Sequence, residues 1–251
     1  VNLLFAAVLV IFAGNVFAEE HALFTSLLGD YVKDGHVGYA KLCRDARLGK
    51  YIQQLSSTDP SKYENAKDEL SFWLNAYNAY TLQVICEHYP VKSINELHSG
   101  GLIIGTLIKG TIWDKKIAVV DGEEMSLNHI EHDIVRKKFR DPRVHFALVC
   151  ASVSCPALRA EAYEGDVLDR QLNDQAKIFF EDRRKSYFDV DTKTAHLSKI
   201  LDWYSDDFGG SKEKILEFIA RFLPADVRAA IVNDPSAWKI RYASYDWALN
   251  E

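Results

Sequence analysis

The densest set of groups able to do chemistry lies in one stretch, His145-Phe146-Ala147-Leu148-Val149-Cys150-Ala151-Ser152-Val153-Ser154-Cys155-Pro156. The thiolate is the nucleophilic form of cysteine, and a helix N-terminus stabilises it through unpaired amides and the helix dipole. Pro156 suits a first helical turn, so the sequence places Cys155 at such an N-terminus as a candidate nucleophile. The small residues Ala151 to Ser154 would let backbone amides approach a substrate as oxyanion donors. A nucleophilic thiol also needs a base within hydrogen-bond reach, and His132 and His145 are the candidates. If Val144 to Cys150 is one buried strand, His145 lies about 16 Å from its far end at ~3.3 Å per residue. That ranks His132, on a separate element, slightly ahead. The competing reading is a disulfide between Cys150 and Cys155, whose short separation makes the geometry feasible. Cys150 can equally be a buried core thiol, and Cys43 and Cys86 either core residues or a second bridge.

A third group comes from Phe72-Trp73-Leu74-Asn75-Ala76-Tyr77-Asn78-Ala79-Tyr80, where Asn75 and Asn78 share a helical face amid aromatics. Amides in such surroundings either tie neighbouring backbone to the helix or face a cleft. In the second case Asn75 would orient the base or stabilise an oxyanion. In Asn128-His129-Ile130-Glu131-His132-Asp133 the two histidines also share a helical face, with His145 a conceivable third metal ligand. The spacing is not His-Glu-x-x-His, so a charged helix surface is the default and neither a metal nor another cofactor is expected.

These residues need positioning elements. Apolar residues at helical spacing predict helices over His21–Val32 and Leu42–Leu55. Asp59-Pro60 opens a long helical stretch to His88, ended by Pro90. Ser93 to Glu96 fits a capping box, and Gly100 to Gly110 is loop-rich, either a lid or a surface loop. Lys116 to Val120 with Asp121-Gly122 predicts a hairpin, and Ser126 caps a helix over Leu127–Phe139 closed by Pro142. Beyond Pro156 the pattern gives a helix over Glu164–Phe180 and a hairpin of Tyr187–Val190 with Thr194–Leu197. Helices follow at Ser198–Phe208, Lys212–Phe222 and Ala225–Val232, then an extended aromatic segment, Trp238–Trp247. The fold class is α+β, one helix-rich domain around a small mixed or antiparallel sheet.

The sequence resembles the family called domain of unknown function 547. The resemblance rests on Phe72 to Asn78, on Ser126-Leu127 with Ile130-Glu131-His132, on Asp141-Pro142-Arg143-Val144-His145-Phe146-Ala147-Leu148-Val149-Cys150 with Ser154-Cys155-Pro156, and on Leu197-Ser198-Lys199-Ile200. It spans roughly Asp68 to Phe208 and implies a self-contained module found in bacterial exported proteins, with no assigned reaction. Asn75 and both histidines precede Cys155, whereas papain-like enzymes place the cysteine first. A permuted papain-like arrangement is therefore the analogy, and it is one of order alone.

The N-terminal run Leu3 to Ala13, followed by Val16-Phe17-Ala18 and two glutamates, has the layout of a secretory signal cleaved after Ala18. It is short of the ~20 apolar residues a membrane span needs, and residues 19–251 are expected to form one globular domain in the periplasm or outside the cell. A formal charge of −6 on 251 residues gives no basic bias, which argues against nucleic-acid binding. The leading expectation is an exported thiol-dependent hydrolase or acyltransferase acting on an unidentified substrate. Its rival is a non-catalytic binding module with structural cysteines and a groove lined by Trp73, Tyr77 and Trp113.

Overall fold

The computed structural model describes residues 20–97 and 110–251. The expected leader and its cleavage site lie outside these residues, as does the Leu102–Ile108 stretch read as a lid or surface loop.

The first helix, α1, is Ala22–Tyr31. The second helical pattern divides into α2, Tyr39–Leu42, and α3, Ala46–Ser57, because Asp45 takes an extended conformation and caps α3 by accepting from the Arg47 amide at 2.9 Å. Between α1 and α2 the two-residue strands β1, Val32–Lys33, and β2, His36–Val37, pair as a tight hairpin. Pro60 starts only a 3₁₀ turn, Pro60–Lys62, and the long helix α4, Ala66–His88, is capped by Asn65. From Glu69 to Leu82 every residue of α4 is buried, so this helix is packed on all sides. Cys43 and Cys86 are joined by a disulfide, which ties the end of α2 to the last turn of α4.

Strands β3, Lys116–Val120, and β4, Glu123–Ser126, pair across Asp121-Gly122. Both turn residues have positive φ, 50° and 76°, as a two-residue hairpin turn of this hand requires. Ser126 then accepts from the His129 amide at 3.0 Å and starts the next helix. Over His129–Phe139 that helix is of the wide π form, a form that in shorter stretches often marks functional sites. Next come α5, Leu168–Glu181, and the hairpin β5, Tyr187–Asp189, with β6, Thr194–Leu197. A strand from near the C-terminus, β7, Lys239–Tyr242, joins β6 in parallel. Between them lie α6, Ile200–Trp203, α7, Lys212–Ala220, and α8, Ala225–Asn233. The helix-rich α+β expectation holds, with three small sheets among the described residues in place of one. Among the described residues no helix is long and apolar enough to cross a membrane.

One expectation fails, and it concerns the segment that carries the cysteines. Val144 to Cys150 is not a strand: Pro142–Phe146 is a 3₁₀ helix capped by Asp141, and Ala147 to Cys150 is irregular. The segment is apolar because it runs between two packed clusters. Val144, Ala147, Leu148, Val149 and Cys155 pack with the α4 core, whereas Phe146 packs with Phe179, Phe180, Phe208 and Phe218. Burial on both sides erases any alternation in the sequence.

Candidate functional site

Irregular backbone in a buried segment needs polar partners, and α4 supplies them. Asn78 donates to the Ala147 carbonyl at 3.0 Å and accepts from the Val149 amide at 3.0 Å. Its amide replaces the strand neighbour that the segment lacks. Asn75 does the same one turn earlier, donating to the Tyr163 carbonyl and accepting from the Tyr163 amide, each at 2.8 Å. With both ends of its amide engaged by backbone, Asn75 does not reach the cavity described below, and its expected oxyanion role finds no geometry.

The cysteine loop is folded back on itself. Ala151 has a φ of 58°, in the left-handed region, and the Cys155 amide donates to the Ser152 carbonyl at 3.1 Å. This reversal brings Cys155 Sγ to 2.7 Å from the Cys150 amide, which donates to it. Residues 157–163 are irregular, so Cys155 does not stand at a helix N-terminus, and that reason for its activation falls away. The C-terminal segment clamps the loop from outside. Val153 donates to the Ala248 carbonyl at 2.8 Å, the Asn250 amide to the Ala151 carbonyl at 3.2 Å, and the Asp246 amide to Ser154 Oγ at 2.8 Å.

Cys150 and Cys155 are both free thiols, so the competing reading of a disulfide between them is not met in this structure. They open onto a cavity of about 500 Å³ lined also by His145, Glu131, Tyr77, Tyr204 and Tyr245, with Trp113, Trp203 and Trp247. Cys150 is half-buried, and the Ser152 and Tyr245 hydroxyls lie 3.2 and 3.3 Å from its sulfur. Burial opposes its ionisation. Donors from Cys155, Ser152 and Tyr245 outweigh burial and bring the thiol down to about 7. Burial, then the hydrogen bond to Cys150 and its charge, hold the Cys155 thiol up. The hydrogen bonds within the pair thus favour the thiolate at Cys150, whereas the sequence pattern pointed to Cys155.

His145 is brought to the same cavity. The distance objection to it rested on the strand, and the 3₁₀ turn removes that premise. Its Nε2 lies 2.7 Å from Asp207 Oδ2, and its ring stacks on Tyr204 with centroids 4.0 Å apart. A carboxylate can only accept, so Nε2 carries the proton and Nδ1 is left with a lone pair in the neutral ring. Nδ1 hydrogen-bonds no other described side chain or backbone group, and the ring faces the cavity. The hydrogen bond from His145, aided by the Arg136 guanidinium at 2.6 Å, keeps the Asp207 carboxyl well below the usual carboxylate range.

His132 stands behind this wall. Its Nδ1 takes a hydrogen bond from Arg136 at 2.8 Å, and it does not line the cavity. His129 pairs with Asp133 on the solvent side at 3.2 Å, so the three histidines do not converge. Among the described residues no three His, Cys, Asp or Glu side chains are placed to hold a metal ion. Glu131 is buried in the cavity wall and bonded to the Tyr204 hydroxyl. The expected aromatic groove is half right. Tyr77 and Trp113 line the cavity, whereas Trp73 packs edge-on against Phe72 with its Nε1 toward Glu69. The rim comes instead from Trp203, Tyr245 and Trp247, which stack on one another with centroids 4.5 to 5.9 Å apart.

A family model described as a protein of unknown function, DUF547, matches residues 60–180. That range contains Cys150, Cys155, His145 and both asparagines, while Asp207 and Tyr245 fall beyond it. No curated protein and no solved structure matches the chain significantly.

Proposed function

We propose, from its cavity and from the match of residues 60–180 to the DUF547 family of proteins of unknown function, that the chain is a thiol-dependent hydrolase or acyltransferase with Cys150 as nucleophile. The observation that carries the reading is the convergence of two hydroxyls and a second thiol on Cys150 Sγ inside an aromatic cavity. A thiol at about 7 is roughly half thiolate at neutral pH, so attack on an acyl carbon needs no prior proton transfer to a base. His145 serves the second half of the reaction. Its Nδ1 takes a proton from the water or alcohol that resolves the acyl-enzyme, and Asp207 stabilises the imidazolium that results. Asp207 thereby fills the orienting role first given to Asn75.

The Cys43–Cys86 bridge supports an oxidising, extracytoplasmic setting for this chemistry, in keeping with the leader-like N-terminus. The test is hydrolysis of a panel of aryl esters and thioesters by the purified protein. Cys150→Ala is expected to abolish turnover, and His145→Gln to lower it by about a hundredfold or more, the usual scale for a positioned base. His132→Gln should leave it within a factor of two or so. An active Cys150→Ala protein would sink the proposal.

The aromatic rim favours one other reading, a binding module. Trp203 is 49% exposed at a cavity mouth, as ligand-stacking side chains commonly are. Under that reading the panel gives no turnover, while a bound ligand quenches tryptophan fluorescence in wild type and less so in Trp203→Ala.

A further inference from the structure

We propose that Cys150 and Cys155 form a dithiol pair that carries out thiol–disulfide exchange, with Cys150 the attacking and Cys155 the resolving sulfur. The inference goes beyond acyl transfer and shares with it only the placement of Cys150.

The loop from Cys150 to Cys155 is closed by the left-handed Ala151 and the Ser152–Cys155 turn, and it is clamped by hydrogen bonds to residues 246–250. With Cys155 Sγ 2.7 Å from the Cys150 amide, the second sulfur is held within reach of the first. A held partner converts the resolving step into an intramolecular one at high effective concentration. The two sulfurs are also unequal in access. Both line the 500 Å³ cavity, but Cys150 is half-buried and open to an incoming disulfide, whereas Cys155 is 3% exposed. That asymmetry separates attacker from resolver.

A second group, unused by the acyl-transfer reading, sits behind Cys155. A smaller cavity of about 70 Å³ is lined by Cys155 and by Lys185, whose side chain is 9% exposed and 3.8 Å from Asp182. The Lys185 ammonium interacts electrostatically with Cys155 and would stabilise its thiolate as that forms.

The Cys150 thiolate attacks one sulfur of a disulfide R–S–S–R, forming a Cys150–S–S–R bond and releasing RS⁻. Cys155 then loses its proton to solvent and attacks Cys150 Sγ, forming the Cys150–Cys155 disulfide and releasing the second RS⁻. The substrate disulfide is reduced to two thiols, and the protein dithiol is oxidised. A small-molecule or peptide disulfide is the oxidant, and an external thiol reverses the cycle. The oxidised form has no Cys150 thiolate and is silent toward acyl substrates.

The experiment uses the purified protein with Cys150 and Cys155 reduced, oxidised glutathione as the probe, acid quenching at intervals, and peptide mass mapping. Wild type is expected to end as the Cys150–Cys155 disulfide with two glutathione thiols released per chain. Cys155→Ser is expected to stop at a glutathione adduct on Cys150, and Cys150→Ser to give no adduct on Cys155. Lys185→Gln should slow the second step about threefold, the loss of thiolate from a one-unit rise on the resolving thiol being partly offset by greater nucleophilicity. The proposal is overturned if wild type stops at a stable Cys150 adduct with Cys155 free. It is overturned equally if the first adduct forms on Cys155, or if neither cysteine reacts while Cys150 still alkylates. No acyl substrate takes part, so exchange can fail while ester hydrolysis holds, and the reverse.

Discussion

Removing a single hydroxyl, in Tyr245→Phe, tests whether the environment of Cys150 is what activates it. The substitution keeps the ring that stacks on Trp203 and Trp247 and deletes only the oxygen 3.3 Å from Cys150 Sγ. A hydrogen bond to a charged group contributes about 1.5–3 kcal/mol, and a long contact to sulfur belongs at the lower end. About 1.4 kcal/mol is one pKa unit, so the thiol should rise from about 7 to about 8. At pH 7 the thiolate fraction then falls from about one half to about one tenth, while each thiolate becomes roughly threefold more nucleophilic. The two effects together make the variant about twofold slower than wild type at pH 7 and about two- to threefold faster at pH 9. The assay is the rate of iodoacetamide labelling at Cys150, followed by peptide mass mapping across that pH range. Rate curves that do not cross, with an unmoved midpoint, would refute the reasoning. So would a wild-type midpoint near 8.5, the value of an ordinary thiol.

Asn78→Ala removes the clamp on the Ala147 carbonyl and Val149 amide and should cost about 3 kcal/mol, the scale of two buried backbone groups left unpaired, with the Cys150 midpoint displaced as well. Asn75→Ala loses the equivalent pair to Tyr163, and urea unfolding should show a similar cost with the Cys150 midpoint unmoved. A moved midpoint would return Asn75 to the site. Opening the Cys43–Cys86 bridge by Cys43→Ser, over a separation of 43 residues, should lower stability by about 4 kcal/mol on the chain-entropy model. An unchanged urea midpoint would show that the bridge constrains nothing. His21 is buried against Tyr51, and burial brings its pKa from 6.5 down to about 4. The unfolded chain takes up that proton more readily. Its contribution is therefore full above about pH 6.5 and declines as pH falls toward 4, by about 3 kcal/mol at 1.36 kcal/mol per unit. His21→Gln should flatten that part of the stability curve, and an unchanged slope would contradict the assignment.

The elements that the sequence made legible are those with one wet face or a strong turn. The amphipathic α3 and α5, the Asp121-Gly122 hairpin and the β5–β6 hairpin all follow from spacing and turn chemistry. Val144 to Cys150 is not legible in this way, because an apolar run buried on both sides has the same composition whether its partners are strands or a helix. A usable signal was present. Asp141 caps the turn begun by Pro142 just as Asp59 caps that begun by Pro60, by accepting from the amide two residues on. Reading Asp141-Pro142 as an opening, not only as the end of the preceding helix, would have removed the strand. It would also have removed the objection to His145. The remaining site residues carry no such local mark. Asp207 meets His145 across 62 residues, and Tyr245 meets Cys150 across 95. Neither lies in the segment matching the family, so the matched segment supplies the sulfurs and the imidazole while flanking sequence sets how acidic and how well oriented they are. Relatives that keep Cys150 and His145 but differ after residue 180 should therefore differ in pH profile before they differ in reaction.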